Sequence, residues 1–108
     1  MFLAVCTGAC GPLVVWHGHS PDRRHRILLL ERGDTQFVRL GEREGPRFDG
    51  IATPTITFSP DNHRLAYAAR QEDVWFVVLD DSVGAYFDGI GPVVFSPDSR
   101  HLAYAAAH

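Results

Sequence analysis

The chain has 108 residues, of which 45% are hydrophobic and 21% charged, and its formal net charge is −3. That length holds one domain of ordinary size. The charge gives no electrostatic reason to expect nucleic acid or an anionic membrane as a partner.

The N-terminal stretch from Met1 to Cys10 is apolar, but no cationic residue precedes Arg23, so it does not read as a secretory signal and the cytoplasm is the expected location. Gly8, Gly11, Pro12 and the polar His17-Gly18-His19 interrupt any run long enough to span a bilayer. Cys6 and Cys10 would close a very small loop, so free thiols are expected there. Residues 2 to 6 read as a single strand, with Thr7-Gly8 as a turn.

Beyond this point the chain repeats itself. Phe58-Ser59-Pro60-Asp61-Asn62-His63-Arg64-Leu65-Ala66-Tyr67-Ala68-Ala69 returns as Phe95-Ser96-Pro97-Asp98-Ser99-Arg100-His101-Leu102-Ala103-Tyr104-Ala105-Ala106. A worn copy lies upstream, His19-Ser20-Pro21-Asp22 running into Arg26-Ile27-Leu28-Leu29-Leu30. Ser20 to Ser59, Phe37 to Phe76 and Phe48 to Phe87 share one spacing of 39 residues, whereas Ser59 to Ser96 is 37. The difference falls where Ile51-Ala52-Thr53-Pro54 is two residues longer than Ile90-Gly91-Pro92. A period near 40 with short strands is the pattern of propeller blades, each of four strands.

In the middle copy the strands are expected at Thr55–Phe58, Arg64–Ala69, Val74–Leu79 and Val83–Phe87. They are rich in β-branched and aromatic residues and separated by Gly, Pro, Asp or Asn. The second strand alternates bulky Leu65 and Tyr67 with small Ala66 and Ala68, which would let a neighbouring sheet approach on the small face. Between the first two strands lies a tight turn. Pro60 sets φ, Ser59 caps the turn, Asp61 follows, and Asn62 stands where the chain must turn left-handed. Ser96, Pro97 and Asp98 repeat this arrangement, but Ser99 and Arg23 replace Asn62, so those turns are expected to be strained or differently built. Asp49-Gly50 and Asp88-Gly89 mark the places where one sheet hands over to the next. The fold class expected is all-β, a partial β-propeller forming one domain over 1–108. It comprises an outer strand (2–6), a first blade (12–50), a second (52–89) and a half-blade (91–107).

The pattern Phe-Ser-Pro-Asp-x-x-x-Leu-Ala-Tyr, the Leu79-Asp80 ending and the following Phe-Asp-Gly resemble the TolB-type, WD-repeat-like bacterial propeller repeat. The likeness covers residues 12 to 107 and is strongest from 48 onward. His19 in place of the aromatic residue, Leu28-Leu29-Leu30 in place of Ala-Tyr-Ala, and the missing Gly after Ser-Pro-Asp depart from it. The resemblance implies a scaffold and carries over no catalytic residue.

Closed propellers need about four to eight blades, so this chain is expected to need completion by self-association or by further chain. Residues 12–50 hold 13 of the 23 charged residues, residues 51–89 hold eight, and the remainder only Asp98 and Arg100. The first copy thus reads as a cap, and Val93, Phe95, Leu102 and Tyr104 of the last one read as an assembly surface.

Catalytic patterns are weaker. His17, His19 and His25 would suit a metal, but they read better as exposed strand-end and turn residues. Glu72-Asp73 and Asp80-Asp81 read as solvated hairpin ends, Trp16 and Trp75 as core, and Ser20, Ser59 and Ser96 as turn residues. No phosphate loop, dinucleotide fingerprint or nucleophile elbow is present. The expectation is a non-enzymatic scaffold for protein–protein or peptide interaction, with no cofactor and no metal. The alternative is an accessory propeller piece of a larger hydrolase- or peptidase-like enzyme.

Overall fold

The computed structural model describes residues 13–107, all of whose regular structure is β. The expected strand at 2–6 and both cysteines lie outside those residues. Among the described residues ten strands form three antiparallel sheets, none of them closed. The first sheet is β1 (Leu13–His19), β2 (Arg26–Arg32), β3 (Thr35–Leu40) and β4 (Arg43–Glu44), in that order. The second repeats it with β5 (Gly50–Phe58), β6 (Leu65–Gln71), β7 (Val74–Leu79) and β8 (Ser82–Val83). The third has two strands, β9 (Gly89–Phe95) and β10 (Leu102–Ala107).

Two expected strands come out differently. The strand expected at Val83–Phe87 is only Ser82–Val83, followed by Gly84 N–H bonding to Val77 O at 3.0 Å and a lone bridge from Trp75 to Phe87. The first sheet breaks at the same place, where Gly45 bonds to Val38 O at 2.8 Å and Phe48 bridges to Gln36. There Pro46 has no N–H to continue the ladder. In the second sheet Tyr86 turns its ring onto Phe76, with centroids 5.5 Å apart. The strand expected at Thr55–Phe58 instead begins at Gly50 and carries a wide bulge. Five residue steps on β5, from Ala52 to Thr57, oppose two on β6, from Ala68 to Ala66. In the third sheet three steps, from Ile90 to Val93, oppose two. The two-residue difference in repeat length is therefore absorbed in the bulge. Thr55 restores the lost rung with its side chain: its hydroxyl donates to Ala52 O at 2.6 Å and accepts from Ala68 N at 2.8 Å.

The sheets stack through β6. On one face Leu65, Tyr67 and Ala69 join Phe76 and Val78 in a cluster with Ile27, Leu29, Val38 and Phe48 of the first sheet. Phe48 meets Phe76 edge-on, with centroids 5.2 Å apart and rings inclined at 66°. Such a pair contributes about 0.5–1.5 kcal/mol beyond the area it buries. On the other face Ala66 and Val77 meet Val93, flanked by Ile90, Phe95, Leu102 and Tyr104. Ala66 and Ala68 are both 0% exposed, so the small face does admit a neighbouring sheet.

Enlarging that face tests the stacking. Ala66→Leu should lower stability by about 1–3 kcal/mol through overpacking, read as a fall in melting temperature. Ala103→Leu, at the corresponding exposed place on β10, should change stability by no more than about 0.5 kcal/mol. Equal effects would contradict the stacking.

Candidate functional site

The three Ser-Pro-Asp turns are superimposable in their bonding. Ser59 Oγ donates to Asp61 Oδ1 (2.5 Å) and accepts from Arg64 N (3.0 Å), while Asp61 Oδ1 also accepts from His63 N (3.0 Å). Ser20 with Asp22 and Ser96 with Asp98 make the same set. The turns at Arg23 and Ser99 are not differently built: φ is 61° and 64° there, against 66° at Asn62. The hydroxyl–carboxylate–backbone set closes each turn in the same way, with Arg23 and Ser99 held in a left-handed conformation that Asn62 tolerates better. Each serine hydroxyl is occupied on both its donor and acceptor sides, which leaves it unsuited to act as a nucleophile.

Adjacent turns are also tied to each other. Asp22 N donates to Asn62 Oδ1 at 3.1 Å, and Asp61 N donates to Ser99 Oγ at 3.0 Å. Positions 62 and 99 therefore need an acceptor as well as a tolerant backbone, which reading each turn separately does not reveal. Asp49 and Asp88 perform the hand-over between sheets. Asp49 N bonds to Arg70 O at 3.0 Å and its Oδ2 accepts from Glu72 N at 2.7 Å, while Asp88 N bonds to Ala107 O at 2.7 Å. Gly50 and Gly89 then open the first strands, opposite Arg70 and Ala107.

The structure places the residues expected on an assembly surface inside the chain. Val93 is 7% exposed, and Phe95, Leu102 and Tyr104 are half-buried against the second sheet. Strand alternation puts Val94, Ala103 and Ala105 on the opposite, open face, and Val94 is 56% exposed. Both acidic pairs form two-residue hairpin tips. Asp80 accepts from Leu65 N (3.2 Å) and pairs with Arg64 (3.3 Å), and Asp81 pairs with Arg43 (2.9 Å). His17 and His19 are exposed on β1, and Trp16 packs against the first core cluster. Among the described residues no three His, Asp or Glu side chains gather as a metal site.

The concave feature with the most varied chemistry is a cleft of about 350 Å³ where the first two sheets meet at their turn end. Val38, Leu40, Phe58 and Leu65 make it apolar, and His25, His63 and the two Arg–Asp pairs rim it. Tyr67 reaches it from β6. This residue is 2% exposed, and its hydroxyl has no hydrogen-bond partner among the described residues. Burial, with the Asp81 charge adding to it, holds that phenol well above its usual ionisation range, so it stays protonated. A second groove of about 310 Å³ runs between β1 and β5, lined by Trp16, His19, Ile56 and Phe58.

No family model matches the chain, and no curated protein or solved structure matches it.

The turns make stability pH-dependent in one direction. The serine hydroxyl first, and the backbone N–H second, hold Asp22, Asp61 and Asp98 below the usual carboxylate range. A carboxylate whose pKa is depressed by folding contributes stability that is complete above its unfolded value, about 3.9. That contribution is lost as pH falls through the folded value. The melting temperature should therefore fall as pH drops below about 4. Ser59→Ala should return the Asp61 titration, followed by carboxyl NMR, toward the ordinary value while leaving Asp22 low. An unchanged Asp61 titration would refute this assignment.

Proposed function

We propose that this chain is a non-enzymatic repeat scaffold of the TolB-like propeller kind, whose uncovered third sheet engages another polypeptide bearing the same module. One observation carries this reading. Ala66 and Ala68 are 0% exposed because the third sheet covers them, whereas their counterparts Ala103 and Ala105 are exposed beside Val94. The edge of β10 is also free of any partner strand among the described residues, whereas its counterpart β6 pairs on that side with β7. A bare face of small apolar residues and an unpaired edge together favour association with another sheet.

The opposite end of the stack favours a second copy joined symmetrically. Leu28, Leu30 and Phe37 point away from the second sheet, yet they are 9%, 2% and 1% exposed, and the Arg47 guanidinium lies 4.3 Å from the Phe37 ring centroid. Those three side chains offer no seat to a partner's sheet, although Leu13, Val14 and Val15 of β1 in the same sheet are 61%, 54% and 47% exposed. Self-association then uses the third sheet of both copies, a two-fold contact that closes as a dimer.

Light scattering of the full chain should give twice the mass of one chain. Val94→Asp should return it to a monomer by burying a charge in the contact. Val83→Asp, on β8 and 46% exposed, should leave the dimer intact. A monodisperse wild-type monomer would overturn the reading.

A further inference from the structure

The outer face of the first sheet departs from its counterpart in the second in one chemical direction. In the second sheet Leu65 and Val78 pack toward the preceding sheet, and Tyr86 lies against Phe76. One repeat earlier the same places hold Arg26, Arg39 and Arg47. Strand alternation puts Arg32 on that face too, in line with Leu28 and Leu30. The one carboxylate on the strands of this face is Glu44, opposite Arg39, although the chain as a whole carries −3. Among the described residues only Arg47 of these four arginines has an ion pair, to Glu44 at 3.6 Å. Arg26 and Arg32 are exposed, and Arg39 is half-buried. A face that merely meets water is served by mixed charges, whereas charge of one sign repels itself unless an anion lies across it.

Strand β1 borders this face, and its outer edge has no partner strand among the described residues. Leu13, Val14, Val15, His17 and His19 are all exposed along it. On its inner side the same strand borders the groove of about 310 Å³, where Trp16, Ile56 and Phe58 line open space.

We propose that the β1 edge takes up an extended peptide of alternating acidic and apolar residues. Main-chain bonds to an edge strand supply binding, and the side chains of an added strand alternate between the two faces. One set would lie toward the arginines and the other toward the groove. Carboxylates suit the first, because guanidinium groups bind them through charge-assisted bonds. Aliphatic side chains suit the second. Nucleic acid could pair with the arginines, but it would leave the strand edge and the groove unused. Residues 1–12 contain no acidic side chain, so they cannot supply the carboxylates. The inference is independent of self-association, which uses the third sheet.

The test is amide NMR of the full chain titrated with an end-blocked peptide of alternating glutamate and leucine, seven residues long to match β1. Saturable shifts are expected along Leu13–His19, and binding should weaken as salt rises. A lysine–leucine peptide should not bind, and a glutamate–serine peptide should bind more weakly. N-methylating alternate amides of the peptide should abolish binding in one phase and spare it in the other, because only alternate N–H groups of an added strand face its neighbour. Arg26→Gln should weaken binding up to about fivefold, the worth of one exposed ion pair. Arg26 is exposed, so the fold tolerates that change. Val94→Asp, on the third sheet, should leave binding unchanged, so a failure of self-association and a failure here read separately. A DNA duplex that shifts the same amides as strongly, equal binding of the lysine–leucine peptide, or shifts confined to β10 would overturn the proposal.

Discussion

The structure depends on β6 having two different faces. Leu65 and Tyr67 reach toward the first sheet, while Ala66 and Ala68 offer the third sheet a surface without bulk. Side chains alternate along a strand, so a slip of one residue would put tyrosine where only alanine fits. Everything that holds β6 in register is therefore structural. The bulge in β5 takes up the extra two residues of its repeat, and the Thr55 hydroxyl replaces the rung that the bulge removes. The hairpin to β7 continues the register for six paired residues.

The Ser-Pro-Asp turns bring a second kind of order. Each turn is closed by a serine hydroxyl and an aspartate carboxylate, and the first two are each tied to the next turn through its left-handed residue, Asn62 or Ser99. Two such bonds, one between each neighbouring pair of turns, join the three sheets at their turn ends. This bonding also gives the serines and aspartates of the three turns a structural task. The chemistry left over is elsewhere, along the β1 edge and the arginines beside it.

Sequence reasoning reached the features whose causes lie within one repeat. The strand order, the left-handed Asn62 and the small face of β6 all follow from local alternation and turn chemistry. It missed features that exist only between repeats. Nothing near Ser99 signals that its hydroxyl accepts from Asp61 N, a residue 38 positions away. Tyr67 reads as an ordinary core aromatic, and only the approach of Gly45 and Asp81 from other strands makes its hydroxyl chemically distinct. The misplacement of the open surface had a simpler origin. Bulky Phe95, Leu102 and Tyr104 attract attention as sticky residues, yet they are the ones consumed by the second sheet, and the face left bare is the one made of alanines and Val94.

The proposed association depends on an open face of small residues beside a strand edge that is unpaired among the described residues. Hydrogen exchange measured residue by residue across a wide range of protein concentration addresses it most directly. The backbone amides of β10 should become more protected as concentration rises, while those of β6, already enclosed on both sides, should not change. Exchange on β10 that is independent of concentration would contradict the claim.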